Sequence, residues 1–200
     1  MNTNVLNNIS YGLYVLTARE GDKDNGCIVN TVQQVTAEPC VISVTVNKSN
    51  YTHDMIMRTG IFNISLISID TAFDVFEKFG FVSGTDADKF AEWKDAQRSK
   101  NGIYYVTKGV NSYLSGKLFH SADMGTHTMF LARVTDMDSL SEDPSLTYAY
   151  YHRHVKPKPK ANEKSGYRCI VCGYVHEGDV LPPDFICPWC KHGPEDFEKI

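Results

Sequence analysis

The sequence predicts a mainly β (α+β) fold for most of the chain and a small, separate metal-binding domain at its C-terminus. Three observations carry this prediction. Apolar and β-branched residues alternate with polar ones over several short segments, which is typical of strands. Segments with helical spacing are fewer, and two Cys-x-x-Cys pairs follow a stretch rich in lysine and proline. Many strands with few helices indicate a β-barrel or sandwich with helical decorations.

Five segments have the alternation expected of strands. The clearest is residues 40–47, CVISVTVN, in which β-branched side chains occupy every second position. The other strand segments are residues 60–68, 101–109, 112–125 and 128–137. The segment over residues 112–125 contains a glycine, Gly116, which predicts an interruption within that strand.

Three segments have apolar residues at helical spacing. In residues 50–60, Thr52 is the predicted N-cap and Gly60 the predicted end of the helix. In residues 68–80, three phenylalanines recur at intervals of three before a glycine. Residues 86–97, DADKFAEWKDAQ, are the third predicted helix.

The stretch HVKPKPKANEKSG divides the chain. Proline fixes φ and the alternating lysines repel one another, so this stretch predicts an extended linker. We therefore expect a domain over residues 1–154, a Lys/Pro linker over residues 155–164 and a second domain over residues 165–200. The first domain is long enough to bury its own core.

Composition and charge exclude several classes of partner and location. The net charge of −4 argues against a nucleic acid partner, because counterion release needs clustered lysine and arginine. No apolar run approaches the ~18 residues of a membrane helix, and the first residues lack a signal-peptide pattern. We therefore expect a cytoplasmic protein with no membrane contact. Neither G-x-G-x-x-G nor a P-loop is present, so any nucleotide cofactor binds outside those folds.

Four of the six cysteines form the pattern C-x2-C-x14-C-x2-C. Two such knuckles complete a tetrahedral site of four thiolates, and in a cytoplasmic chain they indicate a metal site before disulfides. Thiolate tetrahedra select zinc or iron, and the spacing leaves both open. The predicted metal ligands are Cys169, Cys172, Cys187 and Cys190.

Two polar segments of the first domain have the groups that a flavin cofactor requires. The first follows Gly26 and offers hydrogen-bonding groups along a strand edge to the rim of the flavin ring; it comprises Asn30, Thr31, Gln33, Gln34, Val35 and Thr36. The second joins a strand end to a helix start, where hydroxyls, a lysine and free N–H groups predict a phosphate site. It comprises Asn47, Lys48, Ser49, Asn50 and Thr52.

The C-terminal segment resembles rubredoxin. The motifs CIVCGY, PPDF and CPWC carry the resemblance, which covers nearly all of residues 165–200. It implies one iron ion held by the four cysteines and cycling between its ferric and ferrous states. Two features depart from the family: the loop between the knuckles is shorter than in free-standing rubredoxins, and Lys191 replaces the glycine after the last cysteine.

The first domain resembles the flavin reductase-like family over residues 5–150. The motifs NTVQQVTAEP, NKSNYTH, FVSGTDADKFAEW and GTHTMFLARV carry the resemblance, although Thr126 stands where the family has aspartate. It implies an FMN-binding split β-barrel that forms a homodimer, with FMN near the subunit interface and its ring accessible to a nicotinamide. It places Asn30, Thr31, Gln34 and Thr36 near the ring and Asn47, Lys48, Ser49 and Thr52 on the phosphate.

His127 is the candidate polar group next to the reacting ring. The alternative interpretation is a strand histidine whose ring bonds a neighbouring group, because the cofactor itself carries hydride chemistry.

The order of the two domains resembles that of the high-molecular-weight rubredoxin type, an NAD(P)H:rubredoxin oxidoreductase. It implies electron flow from NAD(P)H through FMN to the iron and on to an electron-acceptor protein, a flavodiiron reductase. Two alternatives remain open. One is a flavin reductase that supplies reduced flavin to a monooxygenase and carries a zinc-ribbon docking tail. The other is a non-catalytic flavin store or interaction platform.

Overall fold

The structure is a computed structural model that describes residue 5 and residues 8–156, 166–170, 173–188 and 192–200. In chain order its strands are β1 (Tyr14–Glu20), β2 (Lys23–Val29), β3 (Gln33–Thr36), β4 (Val41–Asn47), β5 (Ile61–Ile67), β6 (Ala96–Arg98), β7 (Tyr104–Val106), β8 (Val110–Asp123), β9 (His127–Ser139), β10 (Gly166–Cys169), β11 (Val175–Glu177) and β12 (Phe197–Lys199). Its helices are α1 (Tyr51–Thr59), α2 (Phe73–Phe76) and α3 (Tyr148–Tyr150). Single π-helical turns lie at Glu77–Phe81 and Tyr151–Val155, and a 3-10 turn spans Pro194–Asp196.

Seven strands form one antiparallel sheet in the order β2-β1-β5-β8-β9-β4-β3. Strands β6 and β7 form a separate hairpin, and the C-terminal strands form a small sheet in the order β11-β10-β12. The strand segments predicted from alternation correspond to β4, β5, β7, β8 and β9. The prediction of a mainly β fold with few helices is confirmed.

The large sheet curls around a core that it shares with helix α1. Strands β2 and β4 are far apart in the sheet order, yet Cys27 from β2 and Val44 from β4 lie in one apolar cluster with Met55 of α1. Flat strands five positions apart could not meet, so the sheet must bend until its two sides face each other.

A second core lies on the opposite face of β1. Because successive strand side chains point to opposite faces, Leu16 enters the first core while Val15 enters the second. Phe76 and Phe79, from α2 and the first π-turn, cover this second face. The predicted phenylalanine stripe is therefore buried.

Helix α1 begins one residue before the predicted N-cap. Asn50 takes that position with extended backbone, so the prediction of Thr52 as N-cap is wrong. Thr52 lies inside the helix, where its hydroxyl accepts a hydrogen bond from the Asn25 side-chain amide at 3.0 Å. The predicted end is confirmed: Gly60 has φ of +69°, and its N–H donates to the Ile56 carbonyl at 2.9 Å.

The predicted helix over residues 86–97 is absent, and that prediction is wrong. The Asp88 carboxylate accepts from the N–H groups of Phe90 and Ala91, which turns the chain, and β6 begins at Ala96. Phe90 stacks on Tyr104 with 5.0 Å between ring centroids. Tertiary packing therefore explains the apolar residues that imitated helical spacing.

The predicted domain boundaries stay predictions, since most of the Lys/Pro linker lies outside the described residues. Across the part of the chain that the structure describes, no helix combines the length and apolar character required to cross a membrane.

Candidate functional site

A cavity of about 340 Å³ lies beside helix α1, at the end of the large sheet where β2 and β4 finish. Its size falls at the lower end of the ~300–1,000 Å³ typical of small-molecule sites. The first π-turn and the loop after it form another wall. The cavity brings together seven of the residues predicted from sequence: Asn30, Thr31, Asn47, Ser49, Asn50, Thr52 and His127.

The predicted phosphate turn lies where β4 meets α1. The Asn47 side-chain oxygen accepts from the Ser49 N–H at 2.9 Å, which holds the turn. Asn50 makes no side-chain bond to the helix start, so the first N–H groups of α1 are not capped by it. A helix N-terminus with uncapped N–H groups attracts anions. Ser49 and Asn50 also line the cavity, so this turn faces it.

Lys48 lies at the rim of the turn rather than in the cavity lining. Its Nζ donates to the Asp123 carboxylate at 2.7 Å, and both side chains are partly exposed. This ammonium holds the pKa of Asp123 below its usual value. Lys48 therefore has a partner, Asp123, on the hairpin between β8 and β9, and an anion that binds Lys48 would have to displace it.

The predicted ring-binding residues of β3 do not line the cavity. All four residues of this edge strand are exposed: Gln33, Gln34, Val35 and Thr36. The Thr36 hydroxyl donates to the Pro39 carbonyl at 2.5 Å. By contrast, Thr31 is held against β4, since its hydroxyl donates to the Thr45 carbonyl at 2.5 Å. Within one chain, the two halves of the predicted ring segment are therefore separated.

His127 lies opposite Asn47 in the pairing of β4 with β9, and both line the cavity. Its Nδ1 is 2.9 Å from the Thr126 hydroxyl. That bond fits the alternative interpretation of a strand histidine satisfied by a neighbour, while its place in the cavity lining fits a contact with a cofactor. Its role stays a prediction.

Sequence reasoning missed the floor of the cavity, which is formed by Asn25, Cys27 and Lys89. Lys89 is only 3% exposed, and its Nζ donates to the carbonyls of Gly26 at 2.7 Å and Phe79 at 3.3 Å. Burial lowers its pKa to about 8. Burial also raises the pKa of the Cys27 thiol. The signal for Lys89 was its motif GTDADKF, which carried the family resemblance but gave no role to the lysine.

Lys89 is expected to make a contribution to stability that rises with pH between 8 and 9. An unfolded lysine keeps its proton to about pH 10.4, whereas the folded one loses it near pH 8, so this group binds more protons in the unfolded state in this window. Lys89 should therefore add about 1 kcal/mol to the free energy of unfolding from pH 8 to 9, while the buried Cys27 thiol, whose pKa is raised, acts in the opposite direction. Chemical denaturation of the flavin-saturated protein and of Lys89→Met at both pH values measures the difference. The change from pH 8 to 9 should be about 1 kcal/mol more positive in the unaltered protein, and an equal change in both proteins would contradict this role of Lys89.

The cavity fits the polar rim and apolar body of a flavin. Hydroxyl and amide groups line it near the phosphate turn, and Phe76 and Phe79 add apolar surface elsewhere in the lining. At the floor, the Oδ1 atom of Asn25 is buried and has no hydrogen-bond partner within the part of the chain that is described. A buried acceptor without a donor is costly, and a ligand N–H would satisfy it.

The C-terminal domain buries two of the predicted metal ligands together. Cys169 and Cys187 are both fully buried and form an apolar cluster with Tyr174 and Phe197. Cys172 and Cys190, like Lys191, lie outside the described residues. Buried thiol groups that meet from two separate knuckles suit a single soft metal ion.

The two knuckles close with the same backbone bond. The Cys169 N–H donates to the Tyr174 carbonyl at 2.8 Å, and the Cys187 N–H donates to the His192 carbonyl at 2.9 Å. In each, the partner lies five residues later. Gly173 has φ of +85°, a conformation that favours glycine and lets the first knuckle turn tightly. The second knuckle thus keeps its closing bond despite the substitution at Lys191.

The cavity and the cysteine cluster share a residue. Phe81, at the end of the first π-turn, lines the cavity and also packs against the cluster of Cys169 and Cys187. From the other side, His192 of the C-terminal domain lines the same cavity. The arrangement therefore places the proposed cofactor pocket next to the proposed metal site.

Comparison with known proteins matches both parts. A family model described as "Flavin reductase like domain" matches residues 6–159, and one described as "Rubrerythrin, rubredoxin-like domain" matches residues 167–198. The high molecular weight rubredoxin of Moorella thermoacetica is 35% identical over 230 aligned positions that cover 100% of both chains. The ferric-chelate reductase (NAD(P)H) of Archaeoglobus fulgidus is 35% identical over 150 positions, covering 75% of this chain and 88% of that protein.

A solved structure agrees with the fold of the first part. The NADH:FAD oxidoreductase SgcE6 of Streptomyces globisporus C-1027 superposes with a TM-score of 0.64 over 72% of this chain and 84% of that one. At 19% identity, this likeness shows a shared fold. Together with the family matches and the full-length relative, this likeness identifies the chain as an oxidoreductase. The chain belongs to the flavin reductase-like family, and it joins that family's domain to a C-terminal rubredoxin-like domain.

Proposed function

We propose that this chain passes electrons from NAD(P)H through FMN to an iron ion held by four cysteines, and from the iron to an external protein. FMN would occupy the cavity beside α1. The iron would be held by Cys169, Cys172, Cys187 and Cys190. The two sites divide the work, since bound flavin accepts a two-electron hydride and supplies electrons singly to a one-electron metal.

The contact made by Phe81 is the observation that carries this proposal. One aromatic side chain lies between the cavity and the buried cysteine cluster, and it touches the groups that border both. A structural metal ribbon has no need to lie at the rim of a cofactor cavity. A metal that takes electrons from the cavity does need to lie close to it.

Polar groups support FMN in preference to a bare or dinucleotide flavin. The uncapped start of α1 lies at one end of the cavity, and the ammonium of Lys48 lies at the rim there, 2.7 Å from the Asp123 carboxylate. One terminal phosphate would satisfy the N–H groups and attract the lysine. Elsewhere in the lining, Asn25 and Lys89 offer a free acceptor and a cation to the bound flavin.

A homodimer would explain why the predicted ring residues of β3 are exposed. This edge strand presents the polar side chains of Gln34 and Thr36 outward, away from the cavity of its own chain. In a dimer such a strand would lie against the second subunit and its flavin. A molar mass of one chain in solution, measured with flavin bound, would contradict this part of the proposal.

The acceptor of the electrons is proposed from resemblance to be a flavodiiron protein. The C-terminal domain carries more acidic than basic residues, so a basic surface on the acceptor would favour docking. Ile170 and Ile186, each next to a knuckle cysteine, are exposed and could give an apolar centre to such a contact.

A second candidate is a flavin reductase that releases reduced flavin to a monooxygenase and uses a zinc ribbon for docking. The match to an NAD(P)H reductase that covers 75% of this chain favours it, because that alignment is too short to span both domains. The cysteine spacing alone suits zinc as well as iron.

Metal and flavin content separate the two candidates. We expect protein purified without added metal to contain one iron per chain, with the visible absorption of a ferric thiolate site beside that of flavin. Flavin released by denaturation should have the mass of FMN. Stoichiometric zinc with no iron absorption, even after growth in iron-rich medium, would favour the zinc-ribbon candidate and contradict the relay.

A further inference from the structure

The C-terminal domain, here called the metal module, contacts the barrel at the rim of the cavity. Phe81 belongs to the second core of the barrel, with its ring centroid 5.9 Å from that of Phe73. The same side chain packs against the cluster of Cys169 and Cys187. The apolar part of this contact therefore joins the core of one domain to the metal site of the other.

Polar groups surround that apolar contact. The Nζ of Lys156 donates to the carbonyl of Ile170, the residue that follows Cys169, at 2.6 Å. On the other side, Tyr148 of the barrel lies near Asp196 of the module; burial and this carboxylate raise the pKa of the tyrosine. Tyr148 also lines the cavity, and Lys156 directly follows the second π-turn, Tyr151–Val155.

The module supplies part of the cavity wall. His192, which closes the second knuckle through its carbonyl, lines the cavity together with Tyr148 and Phe81. Asn25, Cys27 and Lys89, which also line the cavity, belong to the barrel and are all buried. Among the described residues, the module therefore adds a side chain to a lining that the barrel otherwise forms.

The volume of the cavity limits how many rings it can hold at once. About 340 Å³ is near the lower limit for a site that holds one small ligand. Hydride transfer needs the donor carbon within roughly 3–3.5 Å of the acceptor, so the nicotinamide ring must stack directly on the flavin. His192 and Phe81 lie in the cavity lining of the docked arrangement, so a nicotinamide ring that stacked on the flavin from that side would compete with them for space.

We propose that the metal module and the nicotinamide ring occupy the same side of the cavity in turn: the docked module receives electrons, and the undocked module admits the reductant. This inference rests on the proposed function. One reduced nicotinamide becomes one oxidised nicotinamide and one proton, while two ferric ions become ferrous. Because one module accepts one electron at a time, it has to pass that electron on before it receives the second.

Binding of a nicotinamide that cannot donate hydride tests this competition without turnover. The probe is 1,4,5,6-tetrahydro-NAD, titrated into the oxidised protein that holds flavin and iron and followed by the flavin absorption. Lys156→Glu removes the bond to Ile170 and brings a carboxylate next to the carbonyl oxygen that accepted it. If the docked module blocks the nicotinamide site in most protein molecules, releasing it should lower the dissociation constant of the probe by about three- to tenfold. Reduction of iron by NADH in the same variant should slow by a similar factor.

Lys100→Glu is the matched control, because Lys100 pairs with Asp136 and lies outside the contact with the module. It should leave both measurements unchanged. Phe81→Ala is a second variant that removes the apolar part of the contact, and it should also tighten probe binding. Unchanged or weaker probe binding in both Lys156→Glu and Phe81→Ala would overturn the competition. If NADH never reduces the iron of the unaltered protein, the relay fails, whereas the probe titration still decides whether module and nicotinamide compete.

Discussion

Replacing Cys187 with serine is expected to remove iron from the protein and to lower electron delivery to an acceptor protein by at least about a hundredfold. Cys187 is fully buried beside Cys169. A serine at this position gives the metal no thiolate, so the site loses one of its four proposed ligands. Changes in groups that merely support metal ligands already cost about 10–100-fold in affinity or activity, and a ligand should cost more. The rate of NADH-driven reduction of free flavin should stay within about twofold of the rate of the unaltered protein, because the residues that form the floor of the cavity are unchanged. The measurements are iron content, acceptor reduction and free-flavin reduction on one preparation.

Cys40→Ser is the control for this substitution. Cys40 is a free, partly buried cysteine just before β4, outside the metal module. It should retain iron and both activities. If Cys187→Ser abolished free-flavin reduction as well, the division of roles between the two domains would be wrong.

Replacing Lys48 with methionine is expected to weaken FMN binding by at least about tenfold and to leave riboflavin binding unchanged. Riboflavin has the same ring without the phosphate, so only a phosphate contact distinguishes the two ligands. Hydrogen bonds between charged groups are about twice as strong as neutral ones, which supports an effect of this size. Fluorescence titration of the flavin-free protein with each ligand measures it.

Lys117→Met provides a comparison that also removes one lysine, from the middle of β8, and should affect neither ligand. Equal weakening of FMN and riboflavin in Lys48→Met would show that the turn supports the ring or the fold instead of the phosphate. In that case the phosphate site would have to be sought elsewhere in the cavity.

Local sequence patterns predicted the strands in which apolar and polar residues alternate, and they predicted the metal motif. Residues 41–47 and 61–67 alternate clearly, and the spacing of the cysteines reflects knuckle geometry that is local to a few residues. The hairpin of β1 and β2 was missed. Strand β2 reads KDNGCIV, whose charged start and glycine obscure the apolar residues at its end.

The cavity was harder to predict because its shape depends on tertiary packing. A lysine between Asp88 and Phe90 gives no sign in the sequence that it is buried, and Lys89 lines the cavity with its Nζ bonded to the carbonyls of Gly26 and Phe79. The opposite case concerns β3: its Gln34 and Thr36 have suitable groups, but this edge strand exposes them and they do not line the cavity of their own chain, so their role stays a prediction. The sequence pattern alone cannot distinguish a lysine that becomes buried at a cavity from polar residues that an edge strand exposes.

Anaerobic titration with NADH, followed at one wavelength for flavin and at another for ferric thiolate iron, tests the relay most directly. We predict that both signals bleach and that about 1.5 equivalents of NADH per chain complete the titration, since flavin takes two electrons and iron takes one. Bleaching of the flavin alone, complete at about one equivalent while the iron stays ferric, would contradict the account.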